Sequence, residues 1–154
     1  MKSSLKILPS KEIKFFRKLI KDQWDADFVD DYAFLMSSKN KLYIANKDIG
    51  RLNLEKLNIN NVGLYFGEFR KDLLRLSIEG SQLIGPLAKK NVVEIPDVFV
   101  VPWLRGVDIA LKAEGENFVI IKNKNDFMGC GKITDEKILN FVPKARRLMV
   151  EDLP

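Results

Sequence analysis

The pattern of apolar residues changes at Lys89 and Lys90, and this change constrains the fold more than any other feature of the sequence. Before it, runs with helical spacing alternate with strand-like runs. After it, the apolar runs are short and are separated by proline and glycine, which is typical of a small barrel. Five runs predict strands there: residues 92–95, 98–101, 118–121, 127–133 and 146–150. We therefore predict two domains, residues 1–88 and residues 89–154.

The first domain mixes helical and strand patterns. Ser10 is a good N-cap residue for a helix whose apolar positions recur at helical spacing. Those positions are Ile13, Phe16, Leu19 and Ile20. Two hairpins are predicted, residues 32–36 with 42–45 and residues 62–69 with 73–78, together with short helices at 48–57 and 79–90. The predicted class is α+β, with an N-terminal antiparallel sheet and helices followed by a small C-terminal β-barrel.

Gly85 and Pro86 fall inside the last of these predicted helices. Proline lacks the amide hydrogen that an interior helical position needs and restricts the residue before it. We therefore expect a kink or a break at this point of the helix.

The composition removes several classes of function. The 154 residues include no His and one Cys, so a zinc site built from these ligands and an intramolecular disulfide are both excluded. Catalysis by a Ser-His-Asp or Cys-His arrangement is excluded for the same reason. The formal net charge of +5 favours polyanionic partners.

No apolar run reaches the roughly 18 to 20 residues that a transmembrane helix needs, and residues 1–9 do not resemble a secretory signal. We expect an intracellular, cytoplasmic protein.

Two charged segments adjoin each other in the first domain. Lys11, Lys14, Lys18 and Lys21 recur at a spacing of three and four, which places them on one helix face. Either a solvated surface or a nucleic-acid contact would have this pattern. Five aspartates lie between residues 22 and 31, but their spacing does not follow that of a calcium-binding loop, and a solvated loop is favoured over a magnesium site.

Two passages carry a resemblance to a known family. The first is residues 61–86, NVGLYFGEFRKDLLRLSIEGSQLIGP, with matched positions Gly63, Phe66, Gly67, Phe69, Arg75 and Leu76. The second runs from WLRGVDIALK at residue 103 through ENFVIIKN to NDFMGCGKI, with matched positions Gly106, Asp108, Gly129 and Gly131. In this order and spacing, the passages resemble the Nip-seven family of large-ribosomal-subunit assembly factors, of archaeal type.

The resemblance implies an N-terminal α+β domain and a C-terminal PUA pseudo-barrel without catalytic activity or a cofactor. It also implies RNA as a partner, most simply ribosomal RNA, with the N-terminal half docking ribosome-assembly proteins. Where that family commonly has a basic pair before the proline of its last strand, this chain has Asn140 and Phe141. The positive charge follows Pro143 instead.

The candidate RNA-binding residues are basic side chains near the predicted C-terminal strands: Lys122, Lys124, Lys132, Lys144, Arg146 and Arg147. In an extended strand, Arg146 and Arg147 would point to opposite faces, so only one of them would share a face with Lys144. Arginine offers phosphate a bidentate fork of donors, and lysine offers a point charge. Protection of a strand edge from aggregation is the alternative role for these residues.

Three further residue types on these strands have more than one possible role. Gly129 and Gly131 would let an RNA backbone approach the main chain closely, since they lack a Cβ atom. Trp103 and Phe127 could stack on a base, although core packing is favoured for both. Cys130 is interpreted as a small core residue.

Two other functions remain open at this point. One is a protein-interaction adaptor without specific RNA binding. The other is an accessory module, or a remnant, of an RNA-modifying system.

Overall fold

A computed structural model describes residues 5–47 and 63–149. Its first half contains a five-stranded antiparallel sheet in the order β1-β2-β3-β4-β5. The elements are β1 (Leu5–Ile7), α1 (Ser10–Trp24), β2 (Ala33–Ser37), β3 (Lys41–Ala45), β4 (Leu64–Arg70), β5 (Leu73–Leu76) and α2 (Ile78–Ile84). Both predicted hairpins are confirmed. The predicted helix at residues 48–57 and the predicted start of a strand at residue 62 lie outside the described residues.

Helix α1 packs one face on this sheet. Phe16 and Ile20 are buried, as their spacing predicts, and Trp24 continues the buried face one turn further. Gln23 exchanges two hydrogen bonds with the backbone of Leu74 at 2.8 and 3.0 Å. The predicted N-cap is wrong by one residue. Pro9 is the cap, and its carbonyl accepts from the amides of Glu12 and Ile13, so Ser10 already lies inside the helix.

The break in the helix after β5 is confirmed. Helix α2 ends at Ile84, and a 3-10 turn, Gly85–Leu87, follows it. Ser77 caps the start of α2, because its hydroxyl accepts from the Gly80 amide at 2.9 Å. The tight entry to this helix brings the Gly80 Cα against the Phe66 carbonyl, where a Cβ would lie 2.2 Å from the oxygen.

The second half contains a four-stranded mixed sheet in the order β6-β7-β8-β9. Its elements are β6 (Val92–Glu94), α3 (Val100–Leu104), β7 (Phe118–Asn123), β8 (Asp126–Ile133) and β9 (Ile138–Asn140). Strand β6 runs parallel to β7, and the other pairs are antiparallel. The α+β class is confirmed. Within the described residues, the strands predicted to form a small barrel lie in one four-stranded sheet and do not close into a barrel.

Two predicted strands of the second half are wrong. Residues 98–101 belong to a 3-10 turn, Asp97–Phe99, and to α3. Residues 144–146 form another 3-10 turn, Lys144–Arg146, with Pro143 as its N-cap, and the chain is not a strand from there to Met149. Residue 150 lies outside the described part. Strand β9, in contrast, was not predicted.

The two halves share one hydrophobic core. Phe66 and Ile84 of the first half belong to the same buried cluster as Phe118, Ile120 and Cys130 of the second. One face of the β7–β8 pair therefore packs on the first half. The opposite face covers a second cluster around Trp103, Ile109 and Ile138.

The segment between the halves is tied to the end of α1. The amides of Lys89 and Lys90 donate to the carbonyl of Trp24 at 2.9 and 3.3 Å. The Asn91 side chain donates to the Gln23 carbonyl at 2.5 Å. These bonds satisfy carbonyls that a helix end leaves without an intrahelical partner. The predicted domain boundary at residues 88 and 89 stays a prediction.

Among the described residues, no helix is long and apolar enough to cross a membrane.

Candidate nucleic-acid interface

The end of α3 is fixed by its tryptophan. Trp103 is fully buried, and its indole N–H donates to the Met128 carbonyl on β8 at 2.7 Å. The chain then turns sharply, with the Gly106 amide donating to the Trp103 carbonyl at 3.0 Å. Gly106 has a φ of +88°, a conformation that side chains with a Cβ rarely adopt. Arg105 is thereby held at the surface, directly after a buried anchor.

The C-terminal segment packs against this turn. The Leu148 amide donates to the Leu104 carbonyl at 2.8 Å, and the Arg147 Nε donates to the Val142 carbonyl at 3.1 Å. The Arg147 side chain crosses the face of Gly106, where a Cβ would lie 2.2 Å from its Nε. Gly106 is therefore required for two reasons: its backbone has a positive φ, and the side chain of Arg147 occupies the space where a Cβ would lie.

These contacts form a groove of about 390 Å³, which we call the basic groove. It is lined by Arg105, Lys144, Arg147, Leu148 and Met149. Arg105 and Lys144 are exposed, and Arg147 is half-buried. None of the three forms an ion pair with a carboxylate of residues 5–47 or 63–149.

The basic groove can bind a polyanion with some geometric selectivity. Two guanidinium groups and one ammonium group converge on a small volume, and guanidinium groups bind phosphate oxygens in a bidentate manner. Leu148 and Met149 add apolar surface, against which a ribose or a base face can pack. Phosphate contacts of this kind position a nucleic acid without reading its sequence.

Asn140 holds the segments behind the groove together. Its side-chain amide donates to the carbonyls of Trp103 and Val107 at 2.8 and 3.0 Å, and its carbonyl oxygen accepts from the Val142 amide at 2.7 Å. The Asn140 backbone amide donates to Asp108 at 2.8 Å. Asp108 thus ties a turn, which is the structural role expected from the sequence. A basic side chain at position 140 could not accept from the Val142 amide, since lysine and arginine have no acceptor.

The structure divides the six predicted RNA-binding residues. Lys144 and Arg147 share the basic groove. Arg146 points away from it and forms an ion pair with Glu79 of α2, at the contact between the two halves. The prediction that Arg146 and Arg147 diverge therefore agrees with the structure, although a 3-10 turn and not a strand separates them.

The other three residues lie on β7, β8 and the turn between them. Lys122 lies over the Phe127 ring at 5.6 Å, and Lys124 pairs with Asp97 at 3.5 Å. The pKa of Asp97 is lowered, first by a hydrogen bond from Asn123 and then by the charge of Lys124. Lys132 is exposed five residues after Phe127, about 17 Å along the strand. The structure does not bring Lys122 and Lys132 together.

The glycines of β8 are buried, and Gly131 has a packing role. Gly129 and Gly131 are buried, and a Cβ on Gly131 would lie 2.6 Å from the Ile138 side chain and 2.9 Å from the Trp103 ring. The burial of both glycines argues against an approach of RNA to the main chain at these positions. Core positions are confirmed for Trp103 and for Cys130, and burial raises the pKa of the Cys130 thiol to about 12.

Arg105 is the groove residue that the sequence analysis missed. Its signal was present in the segment WLRG, where a basic residue stands between a buried aromatic residue and a glycine. A glycine that must adopt positive φ after a helix fixes the residue before it at the helix end. The periodic pattern of apolar residues does not show where a residue of so short a turn lies.

The charged segments of the first half are exposed. Lys11, Lys14 and Lys18 lie on the solvent face of α1. Lys21 binds Asp25 and Asp27 at 3.0 and 3.1 Å. The hydrogen bond from Lys21 lowers the pKa of Asp25, and the two carboxylates raise the pKa of Lys21. Two of the aspartates that could form a cation site are thus occupied by an ammonium group.

Comparison with known proteins gives a family match within the second half. Residues 90–148 match the family described as the methyltransferase RsmF PUA domain. The match covers all three cationic residues of the basic groove. No curated protein matches the chain. The fold and this match define an α+β protein that contains a PUA domain, which is a class of domain that supports RNA binding. Membership of the Nip-seven family stays a prediction.

Proposed function

We propose that this protein is a non-catalytic RNA-binding accessory factor in the assembly of the large ribosomal subunit. Its PUA domain binds ribosomal RNA through the basic groove, and its N-terminal half docks a protein partner. The observation that carries the proposal is the convergence of Arg105, Lys144 and Arg147 within the region that matches a PUA domain. The ribosomal role is further supported by the two sequence passages that resemble the Nip-seven family.

The composition supports a binding role over catalysis. The sequence contains no His, and its one Cys is buried with a raised pKa, so His-based and thiolate-based chemistry have no residue to use. Within the proposal, the chain needs no cofactor.

A second function is favoured by one specific observation. The matched family is described as the PUA domain of a methyltransferase. The chain would then present RNA to a separate modifying enzyme, with the same groove holding the RNA. Addition of such an enzyme would raise the affinity for RNA in this case, provided that the enzyme binds both this chain and the same strand, because the second contact then becomes intramolecular.

The test is a fluorescence-anisotropy titration of a short uridine-rich single strand over a salt series. The variant Arg105→Gln with Lys144→Gln removes two positive charges from exposed groove positions and leaves Arg147 in place. The matched control is Lys89→Gln with Lys90→Gln, which removes two charges from exposed positions outside the groove. We expect wild-type affinity to fall with salt, with a logarithmic slope of about 0.7 for each neutralised phosphate.

The groove variant should bind more weakly and with a slope smaller by roughly 1.4, and the control should resemble the wild type. Equal weakening in both variants would show that only overall charge matters. Affinity that does not change with salt would contradict phosphate binding. Absence of RNA binding would favour the protein-interaction adaptor.

A further inference from the structure

A second groove lies in the N-terminal half, between the start of α1 and one end of the five-stranded sheet. Its volume is about 380 Å³. Five apolar residues make up most of its lining: Leu8, Phe15, Phe16, Met36 and Phe69. The polar residues of the lining are Lys6, Glu12, Ser37 and Ser38. We call it the Phe15 groove. A volume of this size lies near the lower end of the clefts, roughly 300 to 1,000 Å³, that bind small ligands and anchoring side chains.

Phe15 is the most unusual residue of this groove. Its side chain is 48% exposed, although it belongs to a large aromatic residue on a helix that buries its opposite face. Its ring meets those of Phe16 and Phe69 edge to face, with centroids 5.2 and 5.7 Å apart. The exposed ring is therefore held in a fixed orientation at the mouth of the groove. A rigid, half-exposed aromatic residue of this kind is typical of a binding surface.

The surroundings of the groove are positively charged. Lys11 precedes Phe15 by four residues and Lys18 follows it by three, so both lie beside Phe15 on the helix surface. Lys39 follows directly on the lining residue Ser38. Within the described residues, none of these three lysines forms an ion pair. Glu12 is the one acidic residue in the lining, and Lys6 partly neutralises it at 3.8 Å.

Three of the four polar side chains in the lining are already engaged. The Ser37 hydroxyl accepts from the amides of Lys39 and Lys41, both at 3.2 Å. The charges of Lys6 and Glu12 face each other. A nucleobase needs hydrogen-bonding partners around its edge, and this groove has few to offer. An apolar side chain requires none, so the lining favours a peptide anchor over a base.

We propose that the Phe15 groove binds an acidic peptide segment of a partner protein. One aromatic or branched aliphatic side chain of the segment enters the groove and packs on Phe15. Aspartates and glutamates next to it face Lys11, Lys18 and Lys39. This inference rests on the proposed protein-docking role of the N-terminal half and gives that role a surface and a chemistry.

The test uses the full chain and a library of labelled twelve-residue peptides. Each peptide has Phe, Leu or Trp at the centre, and its other positions are drawn from Asp, Glu, Ser and Gly. We expect a subset to bind and to lose about tenfold in affinity when the central residue becomes Ala, since anchors of this kind dominate such contacts. Bound peptide should shift the amide resonances of residues around Phe15 in ¹⁵N-labelled protein.

Two protein variants locate the binding. Phe15→Ala should weaken it about tenfold, but this change also removes ring contacts with Phe16 and Phe69. Lys11→Gln with Lys18→Gln changes only exposed positions and should weaken binding several-fold while reducing its salt dependence. The pair Lys89→Gln with Lys90→Gln is again the matched control and should bind as the wild type does.

The inference is overturned if no peptide of the library binds, or if the lysine control weakens binding as much as the groove pair. It is also overturned if the uridine-rich strand shifts resonances around Phe15 and displaces the peptides, because the groove is then an RNA site. Failure of the proposed RNA function is recognised separately, by the response of RNA affinity to Arg105→Gln with Lys144→Gln.

Discussion

Gly106 shows how one residue can position a binding surface. Its φ of +88° excludes most side chains, and the space above it is filled by Arg147. Gly129 also has a positive φ, +109°, but a Cβ there would have its nearest neighbour at an ordinary 3.5 Å. The two glycines therefore share a positive φ but differ in what a Cβ would contact. Both carry backbone strain when substituted, and only Gly106 would displace a groove residue.

We predict that Gly106→Ala and Gly129→Ala each lower the free energy of unfolding by about 1 to 2 kcal/mol, from the left-handed backbone alone. Only Gly106→Ala should also weaken RNA binding, by about tenfold, because it moves Arg147. Urea denaturation and anisotropy titration measure the two effects. Equal RNA affinities in the two variants would argue against Arg147 as a contact residue.

Cys130 gives a prediction about pH. Burial raises the pKa of its thiol from 9.0 to about 12, so the folded protein holds the proton more tightly than the unfolded chain. The contribution to stability is fully present below pH 9 and is lost as the pH rises toward 12. The wild type should therefore lose more stability over this alkaline range than Cys130→Ala does, as measured by urea denaturation at several pH values.

The same burial should protect the thiol from reagents. At pH 8, we expect Ellman's reagent to modify native Cys130 roughly a hundredfold more slowly than the urea-unfolded chain, because reaction requires opening of the core. Rapid modification of the native protein would contradict the burial of Cys130.

At the scale of elements, the helices and strands with a regular apolar pattern could be predicted from the sequence. Helix α1 and both N-terminal hairpins were predicted because they are long enough to bury a regular face. Residues 98–101 were predicted as a strand from their β-branched composition, yet they are helical. Pro96 caps the turn that leads into this segment, and burial of Trp103 fixes its direction. Tertiary packing thus outweighed β propensity.

The candidate site was predicted only in part, for a related reason. Lys144 and Arg147 were found because three cations stand close together in the sequence. Arg105 was missed because it joins them through the fold, by the bond between Leu148 and Leu104. Strand β9 was missed because it has only three residues, Ile138–Asn140, which is too short to show alternation. Contacts between segments that are far apart in the sequence produce no periodic pattern of residues, so periodicity does not predict them.

The residues of the β4–β5 turn are not the ones that would make this turn most stable. Lys71 and Asp72 both have positive φ, 49° and 66°, which is the geometry of a type I′ turn. Asn tolerates these angles better than Lys does, and Gly adopts them without the steric cost of a Cβ. We predict that Lys71→Asn with Asp72→Gly raises the free energy of unfolding by about 0.5 to 1 kcal/mol.

The neighbouring turn supplies a control for this change. Lys39 is exposed in the β2–β3 turn and is not among the residues with positive φ. Lys39→Gly should therefore not raise the free energy of unfolding. It should lower it slightly, because glycine gives the unfolded chain more conformational freedom. If both variants were equally stabilised in urea denaturation, left-handed strain could not be the cause.

At the scale of the whole molecule, the two halves form a connected structure. A single buried cluster contains Phe66 and Ile84 of one half and Phe118 and Ile120 of the other. The segment between the halves bonds to the end of α1. The basic groove and the Phe15 groove are therefore carried on one framework, which would hold an RNA and a protein partner in a fixed relation.

Glu79 and Arg146 connect the halves at the surface, with side chains 26% and 49% exposed. Because the pair is partly exposed, we expect a coupling of about 0.5 to 1 kcal/mol in a double-mutant cycle of Glu79→Gln and Arg146→Gln, measured by urea denaturation. Arg146→Gln should leave RNA affinity within about twofold of the wild type, whereas Lys144→Gln should weaken it several-fold, since only Lys144 faces the basic groove. The two variants change the charge equally, two residues apart. Zero coupling together with an equal loss of RNA affinity would assign Arg146 to the RNA and not to the contact between the halves.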